Sequence, residues 1–201
     1  MHDIADRNPV ESDQALLERT AAGDREAFAA LYRRHQASVY RFARLMTGSG
    51  PAAEDVVQEV FLALMKDAAR YDAGRAALTT YLFGTARRIT RRRLLRERRF
   101  VAMDHDVTSW GLTPDAGEVF ERTDALQQLR NAIVSLPSRY REVVILCDLE
   151  GVTYDMAASS IGCAVGTIRS RLHRARQLLT RKLRRADGRD SVSHAVMRCA
   201  I

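Results

Sequence analysis

Residues 152–179 read VTYDMAASSIGCAVGTIRSRLHRARQLL. Thr153 is a suitable N-cap for a short helix, and Gly162 is suited to end that helix after about two turns. A second helix is predicted to start about three residues later, because apolar residues then recur at helical spacing. These residues are Val165, Ile168, Leu172, Ala175, Leu179 and Leu183. A short helix, a turn that contains glycine and a longer amphipathic helix predict a helix-turn-helix.

The side of the second helix that lies opposite these apolar residues has the composition of a DNA-binding surface. Gly166, Thr167, Ser170, His173, Arg174 and Gln177 lie on this side, and Arg169 and Arg171 lie on its flanks. We call the predicted binding residues the α8 face, where α8 is the helix predicted to start near Val165. These residues are Gly166, Thr167, Arg169, Ser170, Arg171, His173 and Arg174. No aspartate or glutamate occurs between Gly166 and Arg185, whereas a helix that needed only solubility would mix both signs of charge. Arginine can form two hydrogen bonds with guanine, and the shorter polar residues can reach bases or phosphates. We therefore expect this face to enter the major groove.

Positive charge is concentrated in two segments rather than spread over the chain. The whole sequence has a formal net charge of +7. Residues 84–99 contain eight arginines and one glutamate, and residues 166–185 contain seven arginines, one lysine and no acid. The other residues are therefore net negative. Two separate basic segments indicate two places at which the chain meets a polyanion.

Helical periodicity extends over most of the chain and strand signals are almost absent, so the expected fold class is all-α. A short helix is predicted over Asp13–Ala22, and a longer one after a break and cap at Gly23 and Asp24. A further helix is predicted from Ala52 to about Arg70. Its core side consists of Val57, Val60, Phe61, Leu64 and Ala68.

The opposite side of that helix is polar, with one exception. It carries Asp55, Gln58, Glu59, Leu62 and Lys66. A single exposed leucine is normal on a protein surface. From periodicity alone, a solvated surface and a protein-binding surface fit this side equally well.

The first basic segment is predicted to be a helix that starts near Thr79. Its apolar residues Leu82, Ala86 and Ile89 should face inward. Four arginines should face mostly outward: Arg87, Arg88, Arg91 and Arg92. We call them the α4 arginine row, where α4 is this helix that starts near Thr79. Nearby aromatic residues would suit single-stranded nucleic acid, because bases stack on aromatic rings while guanidinium groups follow the phosphates. Any one of these aromatics could equally belong to the core.

The rest of the sequence predicts a linker between two domains and gives no sign of a metal site, a membrane segment or a common enzyme motif. From about Val101 to Arg122 the periodicity lapses in an acidic stretch, which favours a linker between two domains. Three cysteines without C-x-x-C spacing give no disulfide framework or zinc site, so no metal or cofactor is expected. No signal peptide or apolar run of roughly 18 residues occurs, so we expect a soluble cytoplasmic protein without membrane insertion. Without a P-loop, G-x-S-x-G or H-E-x-x-H motif, we do not expect an enzyme.

With these motifs in place, the chain resembles a bacterial RNA polymerase sigma factor of the extracytoplasmic-function (ECF) type, a group of the sigma-70 family. LPSRYREVVILCDLEGVTYDMAASSIGCAVGTIRSRLHRAR, residues 136–176, is similar to the domain that binds the minus-thirty-five promoter element. AEDVVQEVFLALM, residues 53–65, resembles the helix that docks on the coiled coil of the polymerase β′ subunit. TYLFGTARRITRRRLLR, residues 80–96, resembles the segment that opens and holds the minus-ten element.

The third segment departs from the family pattern at three positions. Tyr81 stands where a tryptophan is usual, Arg88 where an asparagine is usual, and Arg92 where an acid is usual. Tyr81 keeps an aromatic ring, whereas the two arginines introduce cations. These departures put the family's base preference in the minus-ten element in doubt for this chain.

The resemblance implies partners and site residues. The partners are core RNA polymerase through its β′ and β subunits, promoter DNA and an anti-sigma factor. Core polymerase would be bound by Asp55, Val56, Gln58, Glu59 and Leu62. The minus-ten element would be bound by Tyr81, Arg87, Arg88, Arg91 and Arg92. The minus-thirty-five element would be bound by the α8 face.

The expected architecture is two small helical domains joined by a flexible acidic linker. The expected segments are an N-terminal extension with a short helix (1–23), a sigma region 2 bundle (24–99), the linker (100–122), a sigma region 4 helix-turn-helix (123–185) and a tail (186–201). The expected function is promoter recognition as an alternative sigma factor. Two other functions stay open: a sigma-like decoy that binds an anti-sigma protein, and a stand-alone helix-turn-helix repressor.

Overall fold

A computed structural model describes residues 11–71, 77–103 and 124–187, with side chains over 11–71, 77–96 and 125–184. These residues form eight α-helices and no strand, which confirms the all-α fold class. The helices are α1 (Asp13–Ala21), α2 (Arg25–Thr47), α3 (Gly50–Asp67), α4 (Leu78–Met103), α5 (Asp124–Val134), α6 (Ser138–Val144), α7 (Tyr154–Ile161) and α8 (Val165–Asp187). A 3₁₀ turn (Ala68–Arg70) follows α3, and a π turn (Ile145–Leu149) follows α6.

The first domain is a bundle of α1 to α4, in which α2 packs against the other three helices. Its helices begin where the sequence supplies caps, because the side chains of Ser12, Asp24 and Ser49 accept hydrogen bonds from first-turn backbone N–H groups. Gly48 ends α2 in the left-handed conformation, with a φ of 77°. The largest fully buried side chains of the bundle are Leu31, Val39, Phe42, Val56, Val60, Leu64 and Leu82.

The second domain contains the predicted helix-turn-helix. The Thr153 hydroxyl accepts a hydrogen bond from the Met156 N–H and so caps α7. Gly162 ends α7 with a φ of 74°, and α8 begins at Val165. Five of the six predicted apolar residues of α8 are buried, and Val165 is half-buried. The five are Ile168, Leu172, Ala175, Leu179 and Leu183. The prediction of a helix-turn-helix is confirmed.

One boundary differs from the sequence prediction. Helix α4 continues to Met103, four residues beyond the predicted end of the first domain. Helix α5 is buried through Ala132 and Ile133 near its C-terminus, whereas Leu126 near its start is 56% exposed. The remaining residues of the predicted linker, including Trp110, and the C-terminal tail lie outside the described residues.

The two domains are in contact. Helix α4 of the first domain packs against α7 of the second, and α2 packs against α5 and α6. The buried apolar residues form one cluster that runs from the first domain into the second. Along the part of the chain that the structure describes, no helix is both long and apolar enough to cross a bilayer.

Candidate functional site

The α8 face is open to solvent over most of its length. Arg169, Ser170, His173 and Arg174 are exposed, and Thr167 is half-buried. The apolar residues on the other side of α8 fix this orientation, because they are buried against the rest of the second domain. A Cβ atom at Gly166 would meet no atom within 4 Å. Nothing among the described residues therefore requires glycine there, and close approach of an external group stays a prediction.

Three side chains of this surface are joined along the helix. The Arg174 guanidinium donates to the Gln177 Oε1 at 3.1 Å, and the Gln177 Nε2 lies 2.9 Å from the His173 Nε2. Gln177 was not among the predicted binding residues. Its signal was present in the sequence, because it lies one turn after His173 on the same side of the helix. Gln177 is exposed on the side of the helix where its spacing places it, so it belongs with the candidate binding residues.

Arg171 differs from the other arginines of the α8 face because it contacts an acid of its own domain. Its Nη1 lies 3.5 Å from the Oε1 of Glu142 on α6, and its side chain is 27% exposed. Arg176 likewise binds both oxygens of Asp148. The arginines of α8 that face open solvent are thus a subset of those that the sequence suggested.

The α4 arginine row also contains both arginines that are exposed to solvent and one that is largely buried against an acid. Arg88, Arg91 and Arg92 are exposed and line an open groove together with Leu95 and Arg96. Arg87 is 22% exposed, and its Nε donates to the Oε2 of Glu142 at 2.8 Å. Arg96 was missing from the predicted site residues, although it lies one turn beyond Arg92. The arginines that line the groove give it a positive charge that suits phosphates.

Tyr81 lies half-buried on the first turn of α4. Its hydroxyl donates to the Oδ2 of Asp67 at 2.8 Å. Its ring packs edge to face with that of Tyr71, with the ring centres 5.7 Å apart. Burial, together with the bond to Asp67, raises the pKa of Tyr81 to about 12. The side chain is therefore held in one place as a neutral aromatic group.

The polar side of α3 presents an apolar centre. Leu62 is 50% exposed and Met65 is 51% exposed, and the two are one turn apart. Gln58 is exposed next to them. We call Asp55, Gln58, Glu59, Leu62 and Met65 the α3 surface. Met65 was not predicted, and its position three residues after Leu62 could have identified it.

The two acids of the α3 surface are paired with arginines of α4. Arg93 donates to Asp55 Oδ2 at 3.0 Å and to Glu59 Oε1 at 2.9 Å. Arg92 donates to Glu59 Oε2 at 2.6 Å. The hydrogen bond to Glu59 raises the pKa of the Arg93 guanidinium above its ordinary value. The α3 surface and the α4 arginine row are therefore neighbours that share Arg92.

Val56 does not belong to the α3 surface. Its side chain is 0% exposed and lies in the core of the first domain. Val56 is four residues before Val60, which is also 0% exposed, so the two occupy the same side of the helix. The prediction that Val56 contacts the polymerase was wrong.

Comparison with known families defines the class of the protein. Residues 31–100 match the model of sigma-70 region 2, and residues 126–179 match that of sigma-70 region 4. The first match covers α3 and nearly all of α4, and the second covers the helix-turn-helix. Both candidate nucleic-acid surfaces thus lie within regions that define sigma-70 factors.

Two related proteins show which group of the sigma-70 family the chain belongs to. The chain is 34% identical to the ECF RNA polymerase sigma factor SigM of Mycobacterium tuberculosis, over 86% of this chain and 85% of that protein. It is 32% identical to the ECF sigma factor SigE of Mycolicibacterium smegmatis, over 79% of this chain but only 63% of that protein. The chain belongs to the ECF group of the sigma-70 family.

A solved structure is similar in fold. The sigma factor RpoE of Bartonella quintana, determined in complex with the anti-sigma factor NepR, matches with a TM-score of 0.66 and 26% identity. The match covers 79% of this chain and 98% of that one. It therefore includes helices from both domains.

Proposed function

We propose that this chain is an alternative sigma factor that binds core RNA polymerase and directs it to promoters with minus-thirty-five and minus-ten elements. The observation that carries the proposal is the presence, on one chain, of the α8 face, the α4 arginine row and the α3 surface. A DNA-binding protein that worked alone would have no use for the third. The three surfaces together match the tasks of a promoter-specificity subunit.

In this proposal the α8 face reads the minus-thirty-five element. Arg174 lies at the centre of the face and would pair with a base edge in the major groove. Arg169 lies on a flank and would contact a phosphate. The positive end of the α8 helix dipole would also favour phosphate oxygens near its first turn. Exposure of these groups in the free protein supports the assignment.

The α4 arginine row and its groove take up the minus-ten element. Arg88 and Arg91 are exposed and would contact phosphates without breaking an ion pair. Because Arg88 replaces the usual asparagine, we expect it to add phosphate contact rather than the family's base readout. Tyr81 and Tyr71 supply aromatic rings at the start of the helix, where unpaired bases could stack.

The α3 surface binds the polymerase. An apolar centre of Leu62 and Met65 within a polar rim is the arrangement that protein interfaces use. Asp55 and Glu59 would give the contact its electrostatic orientation. By resemblance, the docking partner is the coiled coil of the β′ subunit, with the β subunit near the second domain.

The remaining features of the proposal follow from these contacts. Because both basic surfaces would contact DNA phosphates, the affinity for DNA should fall strongly as the salt concentration rises. No catalytic step is assigned to this chain, because the polymerase performs the chemistry.

We propose a cytoplasmic location, where core polymerase and promoters are found. An anti-sigma protein is a proposed partner, as for RpoE of Bartonella quintana.

Reconstituted transcription tests the proposal. Core polymerase with this protein should start RNA at discrete sites in a genomic promoter library that core polymerase alone ignores. Binding to an anti-sigma protein without any initiation would favour the decoy. Sequence-specific DNA binding without affinity for core polymerase would favour the repressor.

A further inference from the structure

A cavity of about 360 Å³ lies between the two domains. It is lined by residues of α2 and α4 in the first domain and of α6 and α8 in the second. It shares Arg87, Arg91 and Leu95 with the α4 groove. Small-molecule sites in proteins have volumes of about 300–1,000 Å³. The cavity is therefore large enough to hold a small ligand.

Positive charge dominates the lining of this cavity. Four arginines and one glutamate line it, which gives a formal net charge of +3. The arginines come from both domains: Arg87 and Arg91 lie on α4, Arg139 on α6 and Arg171 on α8. Like charges that share a cavity repel one another, and an anion between them would offset this repulsion. The charge therefore favours an anionic ligand.

The one acid of the cavity holds two of these arginines and leaves the other two available. Glu142 has an 8% exposed side chain, and its carboxylate oxygens lie 2.8 Å from the Arg87 Nε and 3.5 Å from the Arg171 Nη1. Both oxygens of this acid are thus already paired. Arg91 and Arg139 are exposed, and no carboxylate among the described side chains forms an ion pair with either. These two guanidinium groups can bind an anion without breaking an ion pair.

The cavity also has a hydroxyl group and apolar side chains. Ser138 is exposed next to Arg139, and Leu95 is 52% exposed. Leu94 and Met46 add further apolar surface to the lining. Guanidinium and hydroxyl donors suit phosphate oxygens, whereas apolar side chains suit an aromatic or aliphatic group. None of these five residues belongs to the α8 face, the α4 arginine row or the α3 surface.

We propose that this cavity binds a small phosphorylated molecule that also carries an aromatic group, which is the chemistry of a nucleotide. The phosphates bind Arg91 and Arg139, and the aromatic group packs on Leu95. Binding itself does not depend on the proposed function. One consequence does rest on it: a ligand on Arg91 occupies part of the α4 arginine row and competes with the minus-ten strand.

Isothermal titration calorimetry of the full-length protein tests the site. The probes are ADP, inorganic pyrophosphate and adenosine, in a buffer of low salt without Mg²⁺. ADP should bind with a stoichiometry of one molecule per chain. Adenosine should bind at least tenfold more weakly than ADP, because it has no phosphate to meet the arginines.

Single substitutions locate the bound probe. Arg91→Ala and Arg139→Ala change one domain each, and each should weaken ADP binding by about tenfold, because each removes a charge-assisted contact to phosphate. Arg181→Ala is the matched control, since Arg181 is an exposed arginine of α8 that does not line the cavity. It should change the affinity less than twofold. Leu95→Ala should weaken ADP binding several-fold and leave pyrophosphate binding unchanged.

Three results would overturn the site. The first is the absence of ADP binding. The second is the binding of several ADP molecules per chain with equal weakening by Arg139→Ala and Arg181→Ala, which would show general attraction of anions to a basic surface. The third is a loss of affinity for single-stranded DNA in Arg139→Ala without any effect on ADP, which would assign Arg139 to the DNA backbone.

A competition measurement tests the consequence for DNA. ADP at constant ionic strength should lower the affinity of the full-length protein for a minus-ten single strand several-fold, as measured by fluorescence anisotropy. Arg139→Ala should bind the strand normally and lose most of this effect of ADP. An equal effect of ADP on both proteins would contradict competition at this cavity. A strand that fails to bind even without ADP would instead contradict the proposed function of α4, and the calorimetry would still decide the ligand site.

Discussion

Helices α4 and α8 both carry arginine at high density, and both pair some arginines with carboxylates, but the two helices differ in which arginines are paired. On α4, Arg87 and Arg92 each bind a carboxylate of the same chain. On α8, Arg174 donates to the neutral side chain of Gln177, and Arg169 is exposed. DNA can therefore meet the centre of the α8 face without breaking an ion pair, whereas on α4 phosphates must compete with carboxylates for part of the row. Arginine density alone does not distinguish these two cases.

From the comparison of α4 with α8, we expect the substitution of Arg174 to lower transcription initiation more than any other substitution proposed below. Arg174→Ala should lower initiation from promoters with a minus-thirty-five element by about tenfold to a hundredfold, because an arginine–guanine pair contributes about 1–3 kcal/mol of discrimination. Abortive-transcription rates on promoters with and without that element measure this effect. Arg181→Ala is the matched control, since Arg181 is exposed two turns further along the same helix.

Arg174→Ala should leave affinity for core polymerase unchanged. Equal loss of activity from Arg174→Ala and Arg181→Ala would show that α8 contributes only general charge. Loss of polymerase binding in Arg174→Ala would contradict the division of tasks between the two domains.

The α3 surface should give the next largest effect. Asp55→Ala combined with Leu62→Ala should weaken binding of core polymerase by roughly tenfold, because it removes an exposed apolar anchor and a charged rim group. Titration in a pull-down or by fluorescence anisotropy measures the dissociation constant. Leu126→Ala removes an exposed leucine of similar accessibility from α5 and should change nothing. Unchanged affinity in the double variant would show that the α3 surface does not bind core polymerase.

A smaller effect on DNA binding should distinguish the arginines of α4 that are paired with a carboxylate from those that are not. Arg91→Ala should lower affinity for a minus-ten single strand and reduce the slope of log affinity against log salt by about 0.7, as expected for one lost phosphate contact. Arg92→Ala should change the slope less, because Glu59 already neutralises part of its charge. Fluorescence titrations at several salt concentrations compare the two. Equal changes in slope would show that the Glu59 pair has no influence on DNA binding.

The smallest effect is expected at Tyr81. Tyr81→Phe keeps the ring and removes the hydrogen bond to Asp67, so it should cost about 1 kcal/mol of folding free energy and leave initiation nearly unchanged. The wild-type hydroxyl has its pKa raised from 10.0 to about 12, so its contribution is complete below pH 10 and is lost as pH rises toward 12. The variant should lack this decline, which urea unfolding at several pH values would detect.

Local sequence signals predicted most of the fold. Thr153 and Gly162 marked the ends of α7 because capping depends on residue type and backbone conformation within one turn. The spacing of Ile168, Leu172 and Ala175 likewise identified the buried side of α8. Each of these signals is carried by residues that are close in sequence.

Contacts between distant residues were not predictable in this way. Glu142 showed no pattern that would pair it with Arg87, 55 positions away in sequence, because the pairing depends on how the two domains pack. Arg92 similarly looked like a free cation until Glu59, 33 residues earlier, was placed beside it. Val56 was assigned to the polymerase surface from a resemblance, although the helical spacing that it shares with Val60 already placed it in the core.

Tethered DNA cleavage tests the central claim most directly, since it locates α8 and α4 on one promoter. An iron chelate would be attached to Gln177→Cys, at the edge of the α8 face, or to Leu95→Cys, in the α4 groove, in holoenzyme on a promoter from the transcription experiment. Parent protein treated with the same reagent gives the background from native cysteines. The account predicts cuts at the minus-thirty-five element from the first position and at the minus-ten element from the second, both dependent on core polymerase. Cuts at one shared location, or cuts that persist without core polymerase, would contradict it.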